Sequence, residues 1–448
     1  MTFDGATIAS VTGGRLVKDA PAGRIHTDTR SLEAGDWFLA FRGERFDGHR
    51  FLEQALSSGA AGCIVDEAWG GADPAGGLVV VPDTLRAYQD LGRHARRQFE
   101  GVVVGLSGSS GKTTTRSFIA LALSPLGKVH QTVANLNNHI GVPKTLLAAP
   151  SDAVAQVVEM GTSSPGEIQV LAQIGEPDLR LLVNVGPAHL EELGGLDGVA
   201  LEKGALFRTA RPGDVVVVNL DDPYIAAMVL PQGVRRVTWG VGGDVELLDA
   251  VLDADTLHTV STFRTPTGTF TASLPTPGRH LAHNAAGAVA VAWALGVAPH
   301  AAVAALEGYE PVGMRLKAQD LPGGVLALND AYNANPASMA ASLRLLASLP
   351  GRRLAVLGDM LELGPDEAAF HDEVATLAHD LALDGVVFVG PRMQAASTKC
   401  PGALAFATPG AAVEPTRALL QSGDRVLFKG SRGAHVEQVL QGLEQVRG

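Results

Sequence analysis

The chain has 448 residues, 46% hydrophobic and 18% charged, a balance that excludes intrinsic disorder and leaves room for roughly two to four packed domains. Its 35 basic and 47 acidic residues give a net charge of −12, which argues against a nucleic-acid binder. Cys63 and Cys400 show no metal-ligand spacing and fit a reducing compartment; with no basic-then-apolar leader and no apolar run of about 18 residues, the expectation is a cytoplasmic protein without membrane insertion.

Residues 1 to about 98 mix short strand-like runs (DWFLAF, AAGCIV, GLVVVP) with turns and close in the polar helical stretch RAYQDLGRHARRQFE. From about 99 to 310, VVVGL, AVAQVVEM, LRLLVNV and DVVVVNL alternate with helical segments, the pattern of a parallel sheet covered by helices. TLHTVSTFRTPTGTFTASL instead alternates around a Pro-Thr-Gly turn, so a small antiparallel addition is expected before the helix-like HLAHNAAGAVAVAWALG. From about 311 the alternation restarts with GVLALNDAY, RRLAVLGD, DGVVFVG and DRVLFKG. The expected fold class is α/β in three domains: a mixed first domain at 1–98, a central P-loop parallel-sheet domain with its antiparallel addition at 99–310, and a Rossmann-like last domain at 311–448. Nucleotide would sit between the second and third, and closure would exclude water.

Along this framework the chemistry begins at GLSGSSGKTTT, residues 105–115, between a strand and a helix start. The nearest fit is G-x-x-G-K-T (Gly108, Gly111, Lys112, Thr113), shorter than the common phosphate loop. Backbone N–H groups from Gly108 through Ser109, Ser110, Gly111, Lys112, Thr113 and Thr114 would close around phosphates at a helix N-terminus. Lys112 would reach the terminal phosphates and Thr113 would suit Mg²⁺, so the loop reads as an ATP site. Glycine-serine turns before helices are frequent, but the strand before and the helix after favour a phosphate site. Glu159 ends an apolar run at the ligand side of the sheet, where it would hold Mg²⁺ with Thr113 rather than sit as a solvated edge residue. His189 lies just past another strand, and Lys203 sits in a helix; spacing alone leaves both open between a site and an ordinary packed or surface role. Asp330, the pair Gly358 and Asp359, and the pair Lys429 and Arg432 end three strands and define a ligand edge in the last domain.

Ten segments in order carry a family resemblance: HTDTRSLEAGDWFLAFRGERFDGHRF, GLSGSSGKTTT, NLNNHIGVPKTLL, VVEMGTSSPGEI, NVGPAHLE, GVALEKGALF, PGRHLAHNAAGA, NDAYNANPASM, LAVLGDMLELG and VLFKGSRGAH. From about residue 25 to 440 the chain resembles the Mur ligases, whose phosphate loop has this short form. The resemblance implies an ATP-dependent, ADP-forming amide ligase, most similar to the member that adds D-alanyl-D-alanine to UDP-N-acetylmuramoyl-tripeptide through an acyl phosphate. It implies a pair of Mg²⁺ ions, one on Thr113 and Glu159, the other assisted by His189 and by Lys203 carbamylated with CO₂. A carbamate would be an oxygen ligand where an ammonium would be repelled. Lys112, His189, Lys203 and Arg315 are implied as catalytic, Asn284 as lying near adenine, and Arg315 and Asp330 as clasping triphosphate and ribose. Thr29, Arg30, Arg42, Gly43, Asp47 and His49 fall where the family binds the uridine nucleotide, and Asn137 and Asn138 where it faces the muramoyl-peptide. The linker reads PVGMRL, where many relatives have Gly directly before Arg. Lys429 and Arg432 are candidates to meet the dipeptide carboxylate, and a monomer is expected. The rivals are a diamino-acid-adding ligase, whose D-N-P-R segment is absent, a folylpolyglutamate-type ligase, and a regulatory P-loop NTPase.

Overall fold

The computed structural model describes residues 1–43, 46–71 and 75–445. Three sheets divide the chain into a first, a central and a last lobe. The first sheet runs Arg15–Lys18, Gly77–Val81, Gly62–Asp66, Trp37–Leu39, Ile25–His26, with only its first pair antiparallel. Trp37 is wholly buried under it. At Gly48 a Cβ would stand 2.9 Å from the Phe41 backbone nitrogen and oxygen, so only glycine lets this loop fold back on the strand end.

The helix Thr84–Gln98 is capped by Asp83, which accepts from Arg86 N–H at 2.8 Å, and buries Ala87, Tyr88, Leu91 and Ala95 at helical spacing. It packs on Gly5–Thr12 of the first lobe and on Gly141–Leu147 and Glu167–Gly175 of the central lobe. It is therefore a strut between the two lobes as well as the end of the first.

The central sheet is parallel throughout, in the order Arg235–Trp239, Val215–Asn219, Leu179–Leu182, Val102–Ser107, Ala155–Glu159, Val129–Gln131. The chain leaves Val102–Ser107 toward one edge and returns on its other side at Leu179–Leu182. This strand thus borders the switch point where open parallel sheets bind ligands. The antiparallel addition has three strands, Glu246–Leu252, Thr259–Thr265 and Gly268–Leu274. The expected turn is present at Pro266 and Thr267, while the first strand was not anticipated. The last sheet runs Lys317–Leu321, Val325–Asp330, Arg425–Lys429, Arg353–Gly358, Gly385–Val389, Leu404–Phe406, with only the first pair antiparallel.

The alanine-rich helix Arg279–Ala294 lies against Lys112–Leu123, its small side chains allowing close approach. One apolar cluster continues from Phe118, Leu281 and Tyr309 of the central lobe into Leu316, Leu328, Leu343 and Leu345 of the last. Central and last lobes therefore share a core, while the first lobe has separate clusters, one of which takes in Leu147 of the central lobe. No helix among the described residues is long and apolar enough to cross a membrane.

Candidate active site

Gly111, with φ of 73°, turns the loop into the helix Lys112–Leu123. A Cβ there would stand 2.6 Å from Asn284 Nδ2, so the glycine also admits the Arg279–Ala294 helix to the loop. Asn184, two residues past the strand Leu179–Leu182, accepts from Ser109 N–H at 3.1 Å and Ser110 N–H at 2.9 Å. Successive N–H groups converging on one oxygen are the geometry of an anion-binding concavity. Lys112 donates through Nζ to the Gly108 carbonyl at 2.7 Å; enclosure lowers its pKa, with Glu159 acting in the opposite sense. Burial raises the Tyr309 pKa, with Thr114 acting in the opposite sense.

Glu159 is 2% exposed. Its Oε2 accepts from Thr113 Oγ1 and Arg116 Nη1, both at 3.0 Å, and its Oε1 accepts from Asn137 Nδ2 at 2.8 Å. A hydroxyl beside a carboxylate is a donor set that suits Mg²⁺, which takes few protein oxygens and completes its shell with water and phosphate. No group of three or more His, Cys, Asp or Glu gathers as a metal site among the described residues. Asn138 is a turn residue, its Oδ1 accepting from Ile140 N–H at 3.1 Å and Gly141 N–H at 2.9 Å. It also lines, with His139, Gly161, Pro165 and Glu167, a cavity of about 360 Å³ beside the Glu159 loop.

Lys203 is 1% exposed in the helix Leu196–Arg208, and burial together with the charge of Lys112 holds its ammonium well below its ordinary pKa. Its neighbour Glu202 accepts from Gly166 N–H at 2.6 Å, Ile168 N–H at 2.7 Å and Thr162 Oγ1 at 3.3 Å. His189 places Nδ1 2.7 Å from the carboxylate of Glu362, in the loop after the strand Arg353–Gly358. Burial lowers the His189 pKa, Glu362 opposing and Lys203 and Lys112 reinforcing the shift.

From the last lobe Arg315 lies 3.7 Å over the Tyr332 ring, and its charge is felt at both Lys112 and Arg116. Asp330 accepts from Leu316 N–H at 3.2 Å, Ser342 Oγ at 2.7 Å and Lys429 Nζ at 2.5 Å. The arginine's turn is thus built with Gly313 at φ 62°, Leu316 at φ 52° and Asp330 as anchor, without glycine directly before the arginine. Lys429 is spent on Asp330, and Arg432 pairs with Glu437 at 2.9 Å. Asp359 caps the helix Pro391–Ala396 by accepting from Met393 N–H at 2.8 Å.

In the first lobe the expected residues follow the carboxyl ends of adjacent parallel strands. Arg42 forks onto Asp66 at 2.8 and 3.2 Å. His49 accepts from Asp66 N–H through Nε2 at 3.2 Å, so Nδ1 carries the proton it shares with Asp47 at 2.6 Å. Gly43 N–H donates to the Phe46 carbonyl at 2.8 Å. Thr29 sits in the turn where Arg30 is held by Asp28 at 2.7 Å. This cluster is separate from the one around Glu159.

Three family models match in chain order: "Mur ligase family, catalytic domain" at residues 23–81, "Mur ligase middle domain" at 106–292 and "Mur ligase, glutamate ligase domain" at 314–432. The UDP-N-acetylmuramoyl-tripeptide–D-alanyl-D-alanine ligase of Bacillus subtilis is 35% identical over 94% of this chain and 92% of its own. The chain belongs to the Mur ligase family. Among solved structures this Mur ligase is similar to MurF from Acinetobacter baumannii, at 34% identity and a TM-score of 0.90 over 99% of both chains. It is also similar to the Thermotoga maritima MurF ligase in complex with ADP, at 30% identity and a TM-score of 0.84 over 94% of this chain and 97% of that one.

Sequence reasoning on this Mur ligase passed over Arg116, Asn184, Glu202 and Glu362. Asn184 ends a strand-like run as Glu159 does, so the same strand-end logic could have found it. Arg116 follows Thr113 by three residues on one helix face, but its partner comes from another strand. Glu202 and Glu362 carried no local signal.

Proposed function

We propose that this Mur ligase uses ATP to join D-alanyl-D-alanine to UDP-N-acetylmuramoyl-tripeptide in cytoplasmic peptidoglycan-precursor synthesis, with residues 1–98, 99–310 and 311–448 as its working units. The observation that carries the reading is the group Lys112, Thr113 and Glu159 at the switch point, in a chain that aligns over nine-tenths of its length with a ligase of that name. A carboxylate is a poor electrophile. Transfer of a phosphoryl group from ATP to the tripeptide's free carboxylate forms an acyl phosphate and ADP; attack of the dipeptide amine on the acyl carbon then forms the amide and expels phosphate.

Moving a charged phosphoryl group onto a carboxylate demands neutralisation, which Lys112 and Arg315 would contribute from opposite lobes. Thr113 and Glu159 would hold one Mg²⁺, and His189 with Lys203 would serve a second; bound Mg²⁺ supplies further charge stabilisation. Carbamylation of Lys203 is supported by its burial beside Lys112, because the neutral amine favoured there is the form that adds CO₂. Asn284 and Asp330 would serve adenosine, the Thr29 to His49 set the uridine nucleotide, and Asn137 and Asn138 the peptide.

Incubation with ATP, the UDP-tripeptide and candidate amines, scoring ADP, tests the reading: release should require D-alanyl-D-alanine. Release with a single amino acid in its place points to another ligase of the family, and release indifferent to any amine points to a regulatory NTPase. Intact-mass measurement should find Lys203 carrying CO₂; a bare amine in active, Mg²⁺-supplied enzyme would reject carbamylation.

A further inference from the structure

His189 and Glu362 belong to different lobes, yet both hold left-handed backbone, with φ of 54° and 63°. Residues with a Cβ adopt that region rarely, and it persists where the surroundings over-determine it, most often at functional sites. Here the two outliers face each other across one seam. The Glu362 carboxylate lies 2.7 Å from His189 Nδ1, and Leu190 N–H donates to the Glu362 carbonyl at 3.3 Å. Gly364, at φ 68°, lies alongside Glu191, where a Cβ would make ordinary van der Waals contact at 3.4 Å from its backbone. Two short segments, 189–191 and 362–364, thus meet through a side chain, a backbone hydrogen bond and van der Waals packing. Among the described residues Glu362 makes no other ion pair, and its side chain is 55% exposed, so core packing does not explain its position.

We propose that Glu362 is a positioning residue for His189, fixing the imidazole from across the seam so that it takes its working orientation only when the central and last lobes are together. A carboxylate on Nδ1 selects the tautomer with the proton there and leaves the Nε2 lone pair for the site, the arrangement by which outer carboxylates orient histidines toward metal ions. The Nδ1 contact is a 2.7 Å ion-pair approach rather than an aligned hydrogen bond, so a small reorientation of either side chain, not a shorter distance, would align it. Lobe closure would then be read directly by a site side chain. The inference rests on the reading of His189 as a site residue and deepens it.

The test compares Glu362→Ala, Glu362→Gln, His189→Ala and the double alanine variant with the parent by steady-state ADP release. Glu362→Ala should lower kcat about tenfold or more with KM for the UDP-tripeptide within about twofold, whereas Glu362→Gln, whose amide oxygen still accepts from Nδ1–H, should keep at least about a third of kcat. Adding Glu362→Ala to His189→Ala should cost nothing further, since one residue acts through the other. Imidazole ¹⁵N spectra of the nucleotide-free protein give a readout independent of turnover: the Nδ1–H form in the parent, shifted toward Nε2–H in Glu362→Ala. Parent-like kcat in Glu362→Ala beside an inactive His189→Ala, additive losses, or an unchanged tautomer each overturn the positioning role. Full activity in His189→Ala instead removes the reading of His189 itself.

Discussion

Burying Arg116 to 3% and Glu159 to 2% side-chain exposure takes two charges out of water, and each is tolerable only beside the other. Arg116 also reaches the Gln131 side chain at 3.2 Å and the Ala134 carbonyl at 3.1 Å, so its guanidinium ties the phosphate-loop helix to the neighbouring strand and loop. Arg116→Ala would leave the carboxylate with only the neutral donors Thr113 and Asn137. The expected cost is about 3 kcal/mol, the lower end for breaking a buried pair, read from urea unfolding. Arg116→Lys should recover only part of it, because one ammonium cannot reproduce the fork. Lys112→Ala is expected to keep the fold and to lower ADP release by about 100-fold or more, the scale for removing a preorganised charge from a phosphoryl-transfer site. A parent-like rate would reject its role.

Between elements, the helix Glu167–Gly175 has no cap of its own: its N-terminal flank is Gly166 in left-handed geometry, and no side chain there bonds the first turn. Glu202, from the helix that carries Lys203, supplies the missing acceptor at Gly166 and Ile168. Glu167 meanwhile ties Ser163 N–H at 2.7 Å and Ser164 N–H at 3.0 Å, closing the loop that leaves Glu159. One buried acid therefore sets the spacing between the Glu159 loop and Lys203. Glu202→Ala should lose about 2 kcal/mol by stranding the buried Ile168 N–H and uncapping the helix at Gly166, measurable by denaturant unfolding, and should slow turnover at saturating substrates more than the stability loss accounts for. Unchanged turnover in the folded variant would show that the cap serves stability alone.

At the scale of the whole molecule, the shared core makes the seam between central and last lobes a place where titration bears on stability. His280, at the start of the Arg279–Ala294 helix, has its pKa lowered to about 4 by burial, with Asp330 acting upward and Lys429 downward. In the unfolded chain a histidine titrates near about 6.5. Between those values the unfolded chain binds a proton that the folded chain does not, so stability rises with pH across this window and is lost on acidification. The expected contribution is roughly 2 kcal/mol, discounted from the full shift because His280 as a residue is only half-buried. Melting temperatures from about pH 4 to 7 should rise with pH in the parent and more shallowly in His280→Gln. Equal slopes would place the acid sensitivity elsewhere.

The apolar runs at 102–106, 215–218 and 385–389 fix strands whatever their neighbours, because runs buried on both faces read as strands in any parallel sheet, and the G-x-x-G-K-T loop with its flanking strand and helix is equally local. The strands Val129–Gln131, Arg235–Trp239 and Lys317–Leu321 escaped notice because they lie at sheet edges, where short and polar segments pair as well as apolar ones. The sequence by itself determined the alternating α/β framework, the phosphate loop and the family. Only the tertiary structure decided that Arg116 neutralises Glu159, that Glu202 caps the turn at Gly166, that Asp330 and Lys429 satisfy each other, and that Glu362 meets His189. The physical reason is that a buried charge is defined by what surrounds it, and those partners lie tens to more than a hundred residues away along the chain.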